Sequence, residues 1–133
     1  MRVALDAGWS IELVGAWTPA RPGDGVSTWR APGRTMLAAR CVWRCADAAD
    51  IIASLDSELP PNPAGKVGEG GSDGIGVRAA WLYRDTAEAR HTLCGYTFTD
   101  GDCLETILAG ADTDDPAWAF EAWRSVTRSG PGR

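Results

Sequence analysis

The amino-acid sequence predicts a mixed α/β domain, and three observations carry that prediction. Several segments alternate apolar and polar residues by two, as half-buried strands do. Two segments instead repeat apolar residues at helical spacing behind acidic caps. Pro32-Gly33 and Asp100-Gly101 break the strand segments where tight turns belong.

Trp9-Ser10-Ile11-Glu12-Leu13-Val14 alternates by two and sets Trp9, Ile11 and Leu13 on one face of a strand. A loop with Pro19, Pro22, Gly23 and Gly25 leads to a second strand over Ser27–Ala31. After the Pro32-Gly33 turn a third strand runs from Met36 to Ala46. Leu37, Ala39, Cys41, Trp43 and Cys45 share one of its sides, and Ala38, Arg40, Val42 and Arg44 the other.

Asp47 then stands as an N-cap, with Asp50 three residues later near the positive helix end. Ile51, Ile52, Leu55 and Leu59 recur at helical spacing until Pro60-Pro61, which predicts a helix over 47–59. Residues 60–76, rich first in Pro and then in Gly, read as a flexible loop within a single 1–133 domain. A linker there would leave about 60 residues on either side, each marginal as a separate fold.

Val77 to Arg84 is a strand with Val77, Ala79, Trp81 and Tyr83 opposite Arg78, Ala80, Leu82 and Arg84. Another covers 90–99, and Asp100-Gly101 turns it back into 102–108, so that Phe98 faces Cys103 and Cys94 faces Ile107. Asp115 and Pro116 suit the cap and first position of a last helix. Its apolar stripe is Phe120, Trp123 and Val126, with Ala119 and Thr127.

A net charge of −5 repels a phosphate backbone, so nucleic acid is not the expected partner. No apolar stretch approaches the roughly 20 residues that span a bilayer, so membrane insertion is not expected either. Arg2 and Asp6 without an apolar run are unlike a secretory leader, and a cytoplasmic, reducing home is the expectation. Only Lys66 among the 13 cationic residues is a lysine, a bias that with abundant Ala, Gly and Asp points to a GC-rich bacterial genome.

The candidate chemistry is sparse. Cys41 and Cys45 lie roughly 13 Å apart along a strand, too far to bridge, and the hairpin register separates Cys94 from Cys103 as well. The spacings are not those of a zinc site, so reduced thiols packed as small apolar residues are expected, with a bridge between the two regions left open. Gly70-Gly71-Ser72-Asp73-Gly74 matches G-x-S-x-G in letters, but no strand precedes the serine and no helix follows it. Lys66 lacks a following Ser or Thr and a phosphate loop, and Asp112, Asp114 and Asp115 lack the rest of a calcium loop. His91, the one histidine, opens a strand where a solvated or backbone-bonded imidazole is common. No catalytic residue, metal or cofactor is assigned.

Seven tryptophans are many for so small a core, and tryptophan favours interfaces. Trp17 and Trp29, flanking the 18–26 loop, are expected to be exposed. Arg40 and Arg44, with Arg78 and Arg84, would line one sheet side if their strands neighbour, a mixed arginine and aliphatic face fit for an acidic or amphipathic partner. Snorkelling arginines on a solvent face are the plain alternative.

Trp9-Ser10-Ile11-Glu12-Leu13 with Gly15-Ala16-Trp17, the helix after the first strands, the meander and Ala119-Phe120-Glu121-Ala122-Trp123-Arg124-Ser125-Val126 resemble the PsbP-like superfamily. That group includes the extrinsic photosystem II subunit, a Ran-binding nuclear import factor and bacterial DcrB-like proteins. The resemblance implies an α/β sandwich in which a central antiparallel sheet is flanked by helices. It also implies a largely non-enzymatic protein that works by binding other proteins, and it carries no shared site motif.

The expected function is therefore a small cytoplasmic protein-binding module, an adaptor, effector chaperone or immunity-type protein. Its expected binding residues are Trp17, Trp29, Arg40, Arg44, Arg78 and Arg84. The competing expectation is a ligand binder or enzyme that uses the 60–76 loop over Ser72, His91 or a cysteine. A third makes the chain a homodimer joined by its Trp-rich patch.

Overall fold

A computed structural model of the chain describes residues 1–20, 26–42, 48–70, 77–99 and 102–129. Strand β1 (Arg2–Ala4), a single 3₁₀ turn and β2 (Trp9–Glu12) open the chain, followed by the short β3 (Thr18–Pro19), β4 (Val26–Ala31) and β5 (Arg34–Val42). Helix α1 (Ala48–Glu58), β6 (Gly65–Gly70), β7 (Val77–Asp85), β8 (Arg90–Thr99) and β9 (Asp102–Ala111) come next. Helix α2 (Ala117–Arg124) and β10 (Thr127–Arg128) close the described chain.

The main sheet has seven strands in the order β3-β4-β5-β9-β8-β7-β6, every neighbouring pair antiparallel. A second sheet, β1-β2-β10, joins the two ends of the chain. This α+β architecture is the one expected, and the hairpin register follows the Asp-Gly reading, with Cys94 opposite Ile107 and Phe98 opposite Cys103. The turn residues themselves, like Asp47 at the proposed N-cap, lie outside the described residues.

The pleat sorts side chains onto two faces, because successive residues of a strand point to opposite sides. On one face Met36, Ala38, Leu104, Leu108, Leu93, Ala80 and Leu82 meet Trp123, Ala119 and Ala122 of α2 and Trp9 and Ile11 of β2. On the other, Ile51 and Leu55 of α1 pack over Ala79, Trp81, Tyr96, Phe98 and Cys103. Each fully buried large apolar side chain contributes roughly 1.5–3 kcal/mol, so the two layers hold the sheet from both sides. Gly95 lets α2 approach: a Cβ there would lie 2.4 Å from the Trp123 ring.

Three expectations change. Part of the predicted 60–76 loop is strand β6, which adds to β7 along the sheet edge; its glycines have little propensity for strand, and ladder pairing with β7 overrides it. Residues 71–76 lie outside the described residues. β1 was not expected; three residues are too few to show a period, although Val3 is buried. The last helix ends at Arg124, so Thr127 belongs to β10 rather than to the helical stripe.

Candidate functional site

Of the arginines expected to form an open face, Arg78 is buried, and Arg40 and Arg84 are exposed and ion-paired. Register across the sheet sets Arg40, Leu104, Thr97, Arg78 and Glu69 in one row, so Arg40 and Arg78 do share a side. Their strands do not neighbour, however; β9 and β8 lie between them. That side is also the one covered by α2 and the small sheet. Arg78 is buried and donates through Nη2 to the Val126 carbonyl at 2.8 Å, tying β7 to the end of α2. Arg84, at the far end of β7, is exposed and pairs with Asp112 at 3.2 Å. Arg44 lies outside the described residues, as do Trp43 and Cys45.

Arg40 reaches a carboxylate that sequence reasoning missed. Asp102, only 5% exposed, opens β9 in phase with Leu104 and Leu108, which should have marked it as a buried charge in need of cations. It takes the Arg40 Nε–H at 3.0 Å, the Arg128 guanidinium at 3.1 Å and the Cys103 backbone N–H at 2.9 Å. A longer contact of 3.4 Å comes from the Trp9 indole. Burial alone would push the Asp102 carboxyl up. The hydrogen bonds from Arg40, Cys103 and Trp9 outweigh it and hold the group below the usual carboxylate range. The cluster joins β5, β9, β2 and β10.

Trp17 and Trp29 do not behave as expected either. Trp17 is 6% exposed, with its indole donating to the Val14 carbonyl at 3.0 Å. Trp29 is half-buried against the same core. Both side chains point from the ends of the 18–26 loop onto the covered face, because apolar indole area is worth more there than in solvent. Trp17 also stacks near Trp118, ring centres 5.9 Å apart, and Arg34 lies over the Trp118 ring at 4.5 Å. Together with Glu12, Glu121 and Ser125 these residues line a shallow cleft of about 160 Å³. Arg34 is already paired there with Asp114 at 2.7 Å.

Behind that cleft sits His91, 1% exposed. The Trp118 indole donates to Nε2 at 3.2 Å, so the ring proton is on Nδ1. Nδ1 is buried with no hydrogen-bond partner among the described residues. Burial is the main cause that pulls the imidazole below its ordinary range, partly offset by Asp114. A ring sealed under Trp118 is a packing histidine, and Ser72 lies outside the described residues. Among the described residues no three His, Cys, Asp or Glu side chains are placed to hold a metal ion.

On the α1 side, a strip of the sheet is left uncovered by the described residues. Leu37 and Ile107 stand directly opposite each other on β5 and β9, and Val26 faces Ala39 one row along. All four are half-exposed and belong to neither packed cluster, and no described helix covers them. At the same end of this face Arg30 and Arg90, both exposed, border an open cleft of about 350 Å³ with Thr35 and Ala111. Neither arginine makes an ion pair among the described residues. The alternation that placed Leu37 on one face was readable in the sequence. That α1 is too short to cover the whole face was not, since it depends on where the helix lands.

No family model matches the chain, and no curated protein matches it. Solved structures do. A crystal structure at 1.50 Å from Bacteroides thetaiotaomicron VPI-5482 matches with a TM-score of 0.72 at 14% identity, over 98% of this chain and 48% of that one. The solution structure of cyanobacterial PsbP (CyanoP) from Synechocystis sp. PCC 6803 matches with a TM-score of 0.66 at 16% identity, over 97% of this chain and 92% of that one. The fold is PsbP-like. The chain spans about half the length of the Bacteroides structure but nearly all of CyanoP. At such identities the PsbP-like likeness concerns the path of the chain, not its site residues. No described helix is long and apolar enough to cross a membrane.

Proposed function

We infer that the chain is a small, non-enzymatic protein-binding module of the cytoplasm, of the adaptor, effector-chaperone or immunity-type kind. The observation that carries this reading is the uncovered Leu37–Ile107 strip on the α1 side of the sheet, with Arg30 and Arg90 at its end. An apolar strip beside cations that make no ion pair among the described residues suits a partner segment that brings aliphatic side chains and an acidic group. The buried, sealed imidazole and the absence of an engaged nucleophile–base pair among the described residues weigh against catalysis.

The test is affinity capture of the tagged protein from its own cells, run in parallel with Leu37→Asp and with Arg84→Gln on the opposite face. The expected result is one stoichiometric partner held by the parent chain and by Arg84→Gln but lost by a folded Leu37→Asp. Capture that depends on Arg84 and ignores Leu37 would move the site to the α2 side. A dimer by light scattering that Leu37→Asp splits would make the strip a self-association surface instead.

A further inference from the structure

Cys41 of β5 and Cys103 of β9 are directly opposite in antiparallel register, on the same α1-side face. Residues so placed have Cα atoms about 4.5–5.5 Å apart, inside the roughly 4.4–6.8 Å window of a disulfide. Both are thiols in the structure, and both pack in the cluster under α1 with Ile51 and Leu55. We propose that Cys41 and Cys103 form a dithiol modification site that takes a small-molecule disulfide of the glutathione class and closes into a cross-strand disulfide.

The two sulfurs have different parts to play. Cys103 is 1% exposed and Cys41 is half-exposed, so an incoming disulfide meets Cys41 first. A hydrogen bond to Cys41 is the main cause that raises the Cys103 thiol, with burial second, so Cys103 keeps its proton and acts as donor while Cys41 accepts. The Cys41 thiolate attacks one sulfur of the glutathione disulfide; a mixed disulfide forms at Cys41 and one glutathione thiolate leaves. That thiolate takes the Cys103 proton. The Cys103 thiolate then attacks the Cys41 sulfur, the protein disulfide forms, and the second glutathione leaves as a thiolate that solvent protonates. Two protein thiols have been oxidised and one glutathione disulfide reduced to two thiols.

Cys94 serves as an internal contrast. It lies on the same face but opposite Trp81 and Ile107, so it has no thiol across the ladder, and burial pushes it up to about 11.

The experiment equilibrates the reduced, folded protein with glutathione and its disulfide, traps remaining thiols with N-ethylmaleimide in denaturant, and maps the peptides by mass spectrometry. The expected result is a Cys41–Cys103 linked peptide pair lighter by two hydrogens, the loss of both alkylation sites, and Cys94 still alkylated. The Cys45→Ser variant should give the same link. Full alkylation of Cys41 and Cys103 would overturn the proposal, and so would a link from either of them to Cys45 or Cys94. Cys41→Ser should leave Cys103 unmodified and alkylated after unfolding; a glutathione adduct on Cys103 would show that the buried sulfur reacts by itself and overturn the assigned order.

Discussion

Arg128, on the two-residue strand β10, holds its guanidinium 3.1 Å from the Asp102 carboxylate at the start of β9. The contact ties the C-terminal end of the described chain to the middle of the main sheet. It lies across the Trp9 ring, 5.8 Å from the Arg128 guanidinium. The small sheet is therefore fastened to the large one by a charge pair as well as by apolar packing.

Asp102→Asn should uncouple this joint. Removing one partner of a well-buried ion pair costs roughly 3–5 kcal/mol. Arg40 is 39% exposed and regains water readily, so the expected loss is smaller, about 2 kcal/mol for an isosteric amide that keeps part of the hydrogen bonding. Urea denaturation of the two proteins checks it, and an unchanged midpoint would show that the cluster contributes nothing net.

Gly95→Ala tests the approach of α2. The new Cβ would meet Trp123 Cδ1 at 2.4 Å and Thr106 Oγ1 at 2.9 Å, and the indole cannot yield without losing its N–H bond to the Tyr96 carbonyl. Overpacking of this kind costs about 1–3 kcal/mol. In a double-mutant cycle with Trp123→Leu the two losses should be clearly less than additive, since the smaller side chain removes the clash. Strict additivity would mean that Gly95 is used for something other than room.

His91 sets a pH dependence. Its folded pKa lies below the unfolded value of about 6.5, because burial disfavours the imidazolium. Above 6.5 both states are neutral there and the residue adds no slope. As pH falls below 6.5 the unfolded chain binds the proton first, so stability declines until the folded pKa is passed and then levels. Asp102 acts at lower pH: its contribution is whole above the unfolded carboxylate value and is lost as pH falls through its depressed folded pKa. His91→Gln keeps an acceptor for the Trp118 indole and should flatten the decline just below 6.5, as read from unfolding midpoints against pH. An unchanged slope would assign it to other groups.

Much of the fold was legible because periodicity and turn chemistry act over a few residues. The alternation around Trp9, Ile11 and Leu13 and the Asp100-Gly101 register needed no knowledge of the rest of the chain. The site was less legible, since it depends on strand order. Arg40 and Arg78 fall on one side as parity requires, yet β9 and β8 separate them, and Arg78 is buried while Arg40 stays exposed. Trp17 misled for a related reason: a tryptophan beside a Pro- and Gly-rich loop has no periodic partner to show that it turns inward. Asp102 was readable in principle, being in phase with Leu104 and Leu108, but only an attention to buried charge finds it.

Trp81 joins helix α1 to the sheet by one polar contact among apolar ones. Its indole donates to Asp56 at 2.9 Å, Lys66 pairs with the same carboxylate at 3.0 Å, and the Lys66 ammonium lies 5.6 Å from the Trp81 ring centre. The hydrogen bond from Trp81, then that from Lys66, holds the Asp56 carboxyl below its usual range. Trp81→Phe keeps most of the apolar area and the edge-on contact with Tyr96 while removing the donor. Local openings are governed by the contacts of the segment that opens, so amides of α1 should exchange faster while those of β8 and β9 keep their protection. Hydrogen exchange read by mass spectrometry distinguishes the cases. Equal acceleration in α1 and in β8–β9 would mean that the contact supports the whole sheet, and no change in α1 would mean that Ile51 and Leu55 hold the helix without it.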